Sequence, residues 1–269
     1  MIWAPLLFFF AVPEPETADT IMARVAANQD RAESARSSFV YHQNVMIRMN
    51  YTNGKLAREE YSEFTVTPTR HGIKKQRTHF LGKYRDHGKL VEYREPKPDM
   101  HVHIVIDEDV VSDLSEELAG DKQTKDGIVR DLFPLTAKEQ SKYVFRLDGT
   151  EDYRGTTVYR IFFEPKGEGD WAGEALIDLS EFQPVLITTH QAFKIPLLVK
   201  TALGTNVEHC GFKVTYKKFD DGLWFPVTYG GELRLRLLFF YARRIGVSMQ
   251  NSGFQRADVS SKVNFATVE

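Results

Sequence analysis

Over most of the chain from Phe39 on, residues 107–143 apart, apolar and polar residues alternate with a period of two, and turn signals interrupt them at short intervals. That period places successive side chains on opposite faces of an extended strand, so it calls for sheet rather than helix. Tyr41, Val45, Ile47 and Met49 fall on one side of the first run, and His42, Asn44, Arg48 and Asn50 on the other. Asn53-Gly54 then gives a two-residue hairpin signal, with a return strand over 56–67. Further strands are expected at 71–81, 84–94 and 101–106, with a turn at His87-Gly88. The last third predicts strands at 143–149, 153–163, 171–179, 183–193, 206–219, 223–228, 232–243 and 254–266. Turn chemistry at Asp148-Gly149, Pro165-Lys166-Gly167, Asp221-Gly222 and Gly230-Gly231 separates them. Connections this short join antiparallel neighbours, because a parallel crossover needs about a dozen residues.

One face of such a sheet is strongly apolar. Leu233, Leu235 and Leu237 point one way, and Arg234 and Arg236 the other. Trp171, Ala175, Ile177 and Leu179 share a face opposite Glu174 and Asp178, and Phe212, Val214 and Tyr216 share another. The pairs Phe162-Phe163 and Phe239-Phe240 each put one ring on either side. A face of this kind must be covered by helices, by a second sheet or by a bound apolar molecule.

Residues 18–36 supply one candidate cover. Their alanine content and the recurrence of Ile21, Val25, Ala32 and Ala35 predict a helix with a thin apolar stripe, capped by Asp19 or Thr20. Residues 107–143 supply another. Short helices fit 112–119, stopped by Gly120, and 127–132, and Thr136 to Glu139 matches a capping box.

Ahead of the helix, Ile2 to Val12 is apolar and uncharged. It has the length of a signal-peptide core and is too short to span a bilayer. Residues 1–17 are therefore read as an export segment and 18–269 as a single domain. The segment lacks a basic start and a clean A-x-A site, and no lipobox cysteine follows it. A net charge of −2 gives no global drive toward nucleic acid or anionic membranes. The single cysteine, Cys210, excludes an internal disulfide and a multi-cysteine metal site, and its strand-like setting reads as buried.

Catalytic signatures are wanting. His101-x-His103 places two imidazoles on one strand face, with Asp107 or Glu108 as a nominal third ligand. Without a cysteine cluster or HExxH this reads as an ordinary strand face. His71, His79 and His87 lie near turns or on charged strands. There is no GxSxG elbow, P-loop or GxGxxG. The carboxylate pairs Glu59-Glu60, Glu116-Glu117 and Asp220-Asp221 sit where strand neighbours diverge or a turn is expected. Arg243-Arg244 and Lys74-Lys75 lack the aromatic partners of an RNA-reading surface. No cofactor, no metal and no enzymatic activity are expected.

One stretch carries a family resemblance. Trp171-Ala-Gly-Glu-Ala-Leu-Ile-Asp178, followed by Leu-Ser-Glu-Phe-Gln and Pro184-Val-Leu-Ile, resembles a hairpin of the LolA/LolB-like lipoprotein carriers and related outer-membrane lipoprotein-sorting proteins. Asp178 closes one strand of that hairpin and Pro184 opens the next. The stretches Gly149–Ile161 and Phe212–Phe225 are similar to that family as well. The resemblance implies a mainly β fold: a strongly curved antiparallel sheet forming an unclosed barrel, its concave side covered by an N-terminal helix and a short helical insert. It implies a non-enzymatic periplasmic carrier of lipids or lipoprotein acyl chains, monomeric, with inner- or outer-membrane envelope proteins as partners and no nucleic acid. The family supplies no catalytic residues. Strand parity alone nominates Tyr41, Val45, Ile47, Trp171, Ile177, Phe212, Val214, Leu235, Leu237 and Phe239 as lipid-facing. An envelope sensor or protein-interaction module on the same fold is the alternative reading, and a hydrolase a third.

Overall fold

The computed structural model describes residues 16–69, 72–95, 134–167, 171–191, 206–219, 222–237 and 241–257. The export segment, the strand expected at 101–106 with His101 and His103, the helices expected at 112–119 and 127–132, and Phe239 fall outside those residues. So do the side chains of Cys210 and Leu237.

Helix α1 spans Ala18–Arg36, as its composition predicts. Its cap differs. Thr17 is the N-cap and its hydroxyl accepts from the Thr20 backbone N–H, while the Thr20 hydroxyl accepts from the Thr17 N–H. Threonine at the N-cap satisfies an amide that has no intrahelical partner, and the reciprocal bond makes a capping box.

Eleven strands follow among the described residues: β1 (Phe39–Asn50), β2 (Leu56–Thr69), β3 (Gly72–Asp86), β4 (Lys89–Tyr93), β5 (Tyr143–Tyr153), β6 (Thr156–Pro165), β7 (Trp171–Asp178), β8 (Pro184–Gln191), β9 (Asn206–Lys218), β10 (Trp224–Leu237) and β11 (Tyr241–Arg256). A one-turn helix, α2 (Ala137–Gln140), is capped by Thr136, whose hydroxyl accepts from the Glu139 N–H. All described pairings are antiparallel, in the order β4-β3-β2-β1-β11-β10-β9-β8-β7-β6-β5. The last strand thus pairs with the first, and the sheet ends at β4 and β5. These two strands do not pair with each other, so the barrel is unclosed.

Several turns lie elsewhere than expected. Asp148-Gly149 is an irregularity within β5, where the register slips between Leu147 and Thr150. The reversal comes at Arg154-Gly155, whose φ values of 55° and 83° suit the right-handed twist of a hairpin. Gly230-Gly231 likewise does not turn the chain. It lies inside β10, paired with Ser248 and Val247 of β11. The strand expected over 232–243 is therefore the end of one strand and the start of the next. Gly82 sits within β3 rather than at a break. Asn53-Gly54 belongs to a longer loop, since Asn50 pairs with Leu56 and the Tyr51 N–H donates to the Lys55 carbonyl. Leu179 falls past the end of β7 and is exposed, leaving Ala175 and Ile177 as its buried neighbours in the expected facing.

The sheet curls around one apolar face. Phe64 on β2 and Tyr143 on β5 belong to the same buried cluster, although eight strand steps separate them in the sheet order. Flat, those strands would lie roughly 38 Å apart. Helix α1 fills the concave side, contributing Ala18, Ile21, Met22 and Val25 to that cluster. Polar ties hold it. Asn28 Nδ2 donates to the Glu181 and Phe182 carbonyls at 2.7 and 3.0 Å, and Gln29 Nε2 to Gln183 Oε1 at 2.8 Å. The buried Arg36 donates to the Trp224 carbonyl at 3.1 Å, and Gln140 of α2 to the Met22 carbonyl at 2.7 Å.

The seating of α1 is testable at Ile21, which is 0% exposed. Truncation there leaves a cavity, so Ile21→Ala is expected to lower unfolding free energy by about 2–5 kcal/mol in chemical denaturation. A loss below about 1 kcal/mol would show that α1 is not packed on the sheet.

Candidate binding site

The two ends of the concave face differ in cover. The second half of helix α1 is tied to the end where β1 begins, β7 turns into β8 and β10 starts, while Met22 in its first half is tied to α2 ahead of β5. The hairpin motif seen in the sequence builds part of this end. Asp178 closes β7, and its Oδ1 accepts from the Ser180 and Glu181 amides and the Ser180 hydroxyl, pinning the turn that leads to Pro184. Glu181 then accepts from the Trp224 indole at 2.9 Å and from Lys218 at 2.6 Å, joining the turn to β9 and β10.

The opposite end is different. There the concave positions are Trp171 at the start of β7, Phe212 on β9, and Leu233 and Leu235 on β10. All four are only partly buried. Trp171 and Phe212 meet edge to face with ring centroids 5.3 Å apart. Beneath them lie buried Val214, Thr189, Val247 and Ile245. Thr189 Oγ1 bonds the backbone of Phe212, accepting from its N–H at 3.2 Å, and so fixes the strand that carries the ring. What results is an apolar surface of aromatic and branched side chains, bordered by Arg243 of β11, which pairs with Leu235.

The residues nominated by parity divide between the two regions. Val45, Ile47, Ile177 and Val214 are in the main buried cluster, to which α1 also contributes. Tyr41 is buried too, but its ring packs on Phe254 at 5.2 Å, next to the Phe219–Phe225–Phe254 group. Trp171, Phe212 and Leu235 lie at the less covered end. Leu237 ends β10 at that end, with its side chain outside the described residues.

A polar group on the same face escaped the sequence reading. Arg58 and Glu60 on β2 register against Met49 and Ile47 of β1, hence on the concave side. The Arg58 side chain is 1% exposed and its Nε and Nη2 both donate to Glu60 Oε1, at 3.0 and 2.6 Å. The Tyr93 hydroxyl donates to the same oxygen at 2.6 Å, and the guanidinium lies 5.1 Å from the Tyr93 ring centre. Glu59-Glu60 was legible only as a carboxylate pair. Its members do face opposite ways: Glu59 pairs with Arg48 on the outer face.

The outer face carries a shallow trough of about 670 Å³, where Gly230, Gly246 and Gly211 leave the backbone bare between Met46, Lys213 and Glu232. Nearby, burial and the Glu63 carboxylate that accepts its hydroxyl raise the Tyr61 pKa. Among the described residues no three His, Cys, Asp or Glu side chains group as metal ligands, and no helix is long and apolar enough to cross a membrane.

No family model and no curated protein matches the chain. Solved structures do. A domain from Vibrio parahaemolyticus named for outer-membrane lipoprotein sorting is 10% identical, with 91% of this chain and 95% of that one covered and a TM-score of 0.39. A DUF1329 family protein from Desulfovibrio piger is 13% identical, with coverages of 92% and 95% and a TM-score of 0.39. A LolA superfamily protein from Nitrosomonas europaea is 12% identical, with coverages of 91% and 96% and a TM-score of 0.34.

The Arg58–Glu60 pair gives a prediction about stability. Removing one partner leaves the other charge buried, which costs about 3–5 kcal/mol, whereas replacing both by apolar residues of similar size costs far less. Glu60→Ala is therefore expected to destabilise strongly, and Arg58→Met with Glu60→Leu to recover most of the loss in urea denaturation. Equal losses for the single and double variants would contradict this.

Proposed function

We propose that this protein is a non-enzymatic carrier or binding protein for acyl chains, of a lipid or of a lipoprotein, held on the concave face of the sheet at the Trp171 end. The observation that carries the proposal is the set of partly buried apolar side chains there, Trp171, Phe212, Leu233 and Leu235, standing on a buried apolar floor. Water contact makes such a surface unfavourable, and a hydrocarbon chain relieves it. Each buried methylene contributes about 0.8 kcal/mol, so ten contribute about 8 kcal/mol before the cost of ordering the chain. That is the micromolar range. Release then needs no chemistry, only an acceptor that solvates the chain equally well.

Residues 18–269 act as one carrier domain in this proposal. The apolar run Ile2–Val12 directs export, the working compartment is the periplasm, and the acting form is a monomer that meets envelope proteins.

The test is uptake of a fluorescent fatty acid by protein stripped of lipid, together with native mass spectrometry of protein as purified. Binding in the micromolar range is expected. Leu233→Asp, which puts a charge among the apolar side chains opposite Ile245, should weaken it at least tenfold with the melting temperature little changed. Val144→Asp, at a position 57% exposed on the edge strand β5, should leave it unaltered. No uptake, or uptake that Leu233→Asp does not disturb, would overturn the proposal. A stable complex with an envelope protein and no bound lipid would favour the interaction-module reading instead.

A further inference from the structure

Three glycines on the concave face lie against aromatic rings from neighbouring positions: Gly82 against Tyr93, Gly173 against Phe163 and Gly231 against Phe212. Tyr93 and Phe163 are buried, so those two contacts belong to the core. Phe212 is not; its ring is partly open to the concave side.

The register accounts for the third contact. On β10 the concave positions run Tyr229, Gly231, Leu233, Leu235, so Gly231 is the one place where that row lacks a side chain. It pairs with Phe212 on one side and Val247 on the other. A methyl group at Gly231 would stand 2.5 Å from Phe212 Cδ1, 2.7 Å from Cε1 and 2.9 Å from the Gly211 carbonyl oxygen. The ring therefore occupies the space a β10 side chain would fill and lies down against the sheet. Backbone cannot retreat from an added methyl, but a partly exposed ring can. It would rise off the strand into the open end of the concave face, carrying its edge-to-face contact with Trp171 along. A glycine within a strand weakens it and marks a close approach, and here the approach is by a ring of the candidate site.

We infer that Gly231 is a specificity-determining residue of the concave site: by letting the Phe212 ring lie flat, it sets how deep an acyl chain can reach, and hence the longest chain accepted. This rests on the acyl-chain reading of the same face.

Dissociation constants for saturated fatty acids of about ten to eighteen carbons, by displacement of a fluorescent fatty acid, test it. In wild-type protein affinity rises with length by up to about fourfold per methylene buried. In Gly231→Ala the rise stops at a shorter chain: the longest acids lose at least tenfold and the shortest change less than twofold. Phe212→Ala, alone and combined with Gly231→Ala, restores or extends binding of the longest acids, because no ring remains to be displaced. These ring-less variants decide the matter if Gly231→Ala does not fold. A parallel loss at every length in Gly231→Ala, or ring-less variants whose length preference matches wild type, overturns the inference and leaves the carrier reading standing. A wild-type protein that takes up none of the acids overturns both.

Discussion

The fold depends on burying α1 in the concavity of the sheet. An antiparallel sheet with one apolar face and an open edge has two outcomes in water: it associates, or it curls around something that fills it. Ile21, Met22 and Val25 are that filling, each at most 1% exposed. The pairing of β11 with β1 places the strand that follows α1 in the middle of the sheet, so strands curl past the helix on both sides. The ties from Asn28, Gln29 and Arg36 then fix where along the strands the helix lies.

That position divides the face. A helix of 19 residues is about 28 Å long; its second half is tied to turns at one end of the strands, and Met22 in its first half to α2, which leads into β5 at the other end. The nominated residues Val45, Ile47, Ile177 and Val214 are buried in the cluster that α1 joins. Trp171, Phe212, Leu233 and Leu235 are only partly buried. The same apolar parity thus serves two purposes along one strand. Phe212 and Val214 share a face of β9 and differ in cover.

Strand existence and facing were legible because period-two alternation survives wherever one face is buried and the other is wet. Leu233-Arg234-Leu235-Arg236 reads correctly for that reason. Turns were less legible. Glycine reads as punctuation at Gly149 and Gly230-Gly231, whereas Gly231 accommodates a ring from the adjacent strand. Local composition cannot separate these uses, because the ring that explains Gly231 comes from another strand, nineteen positions earlier in the chain. The Arg58–Glu60–Tyr93 group was hidden similarly: Tyr93 lies two strands away, and a charged pair on an exposed-looking strand carries no mark of burial. Parity picks out a face, but which part of it α1 covers depends on tertiary contacts. Tyr41 and Val45 were therefore nominated together with Trp171.

The central claim is that an acyl chain lies at the Trp171 end of the concave face and not at the Trp224 end. Tryptophan quenching by a brominated fatty acid reads this directly, because Trp171 stands at one end and Trp224 at the other, bonded to Glu181 near the helix. The account predicts that quenching seen in the wild type is lost in Trp171→Phe and retained in Trp224→Phe. Quenching that persists in Trp171→Phe and disappears in Trp224→Phe would place the chain at the wrong end, and no quenching in any of them would remove it.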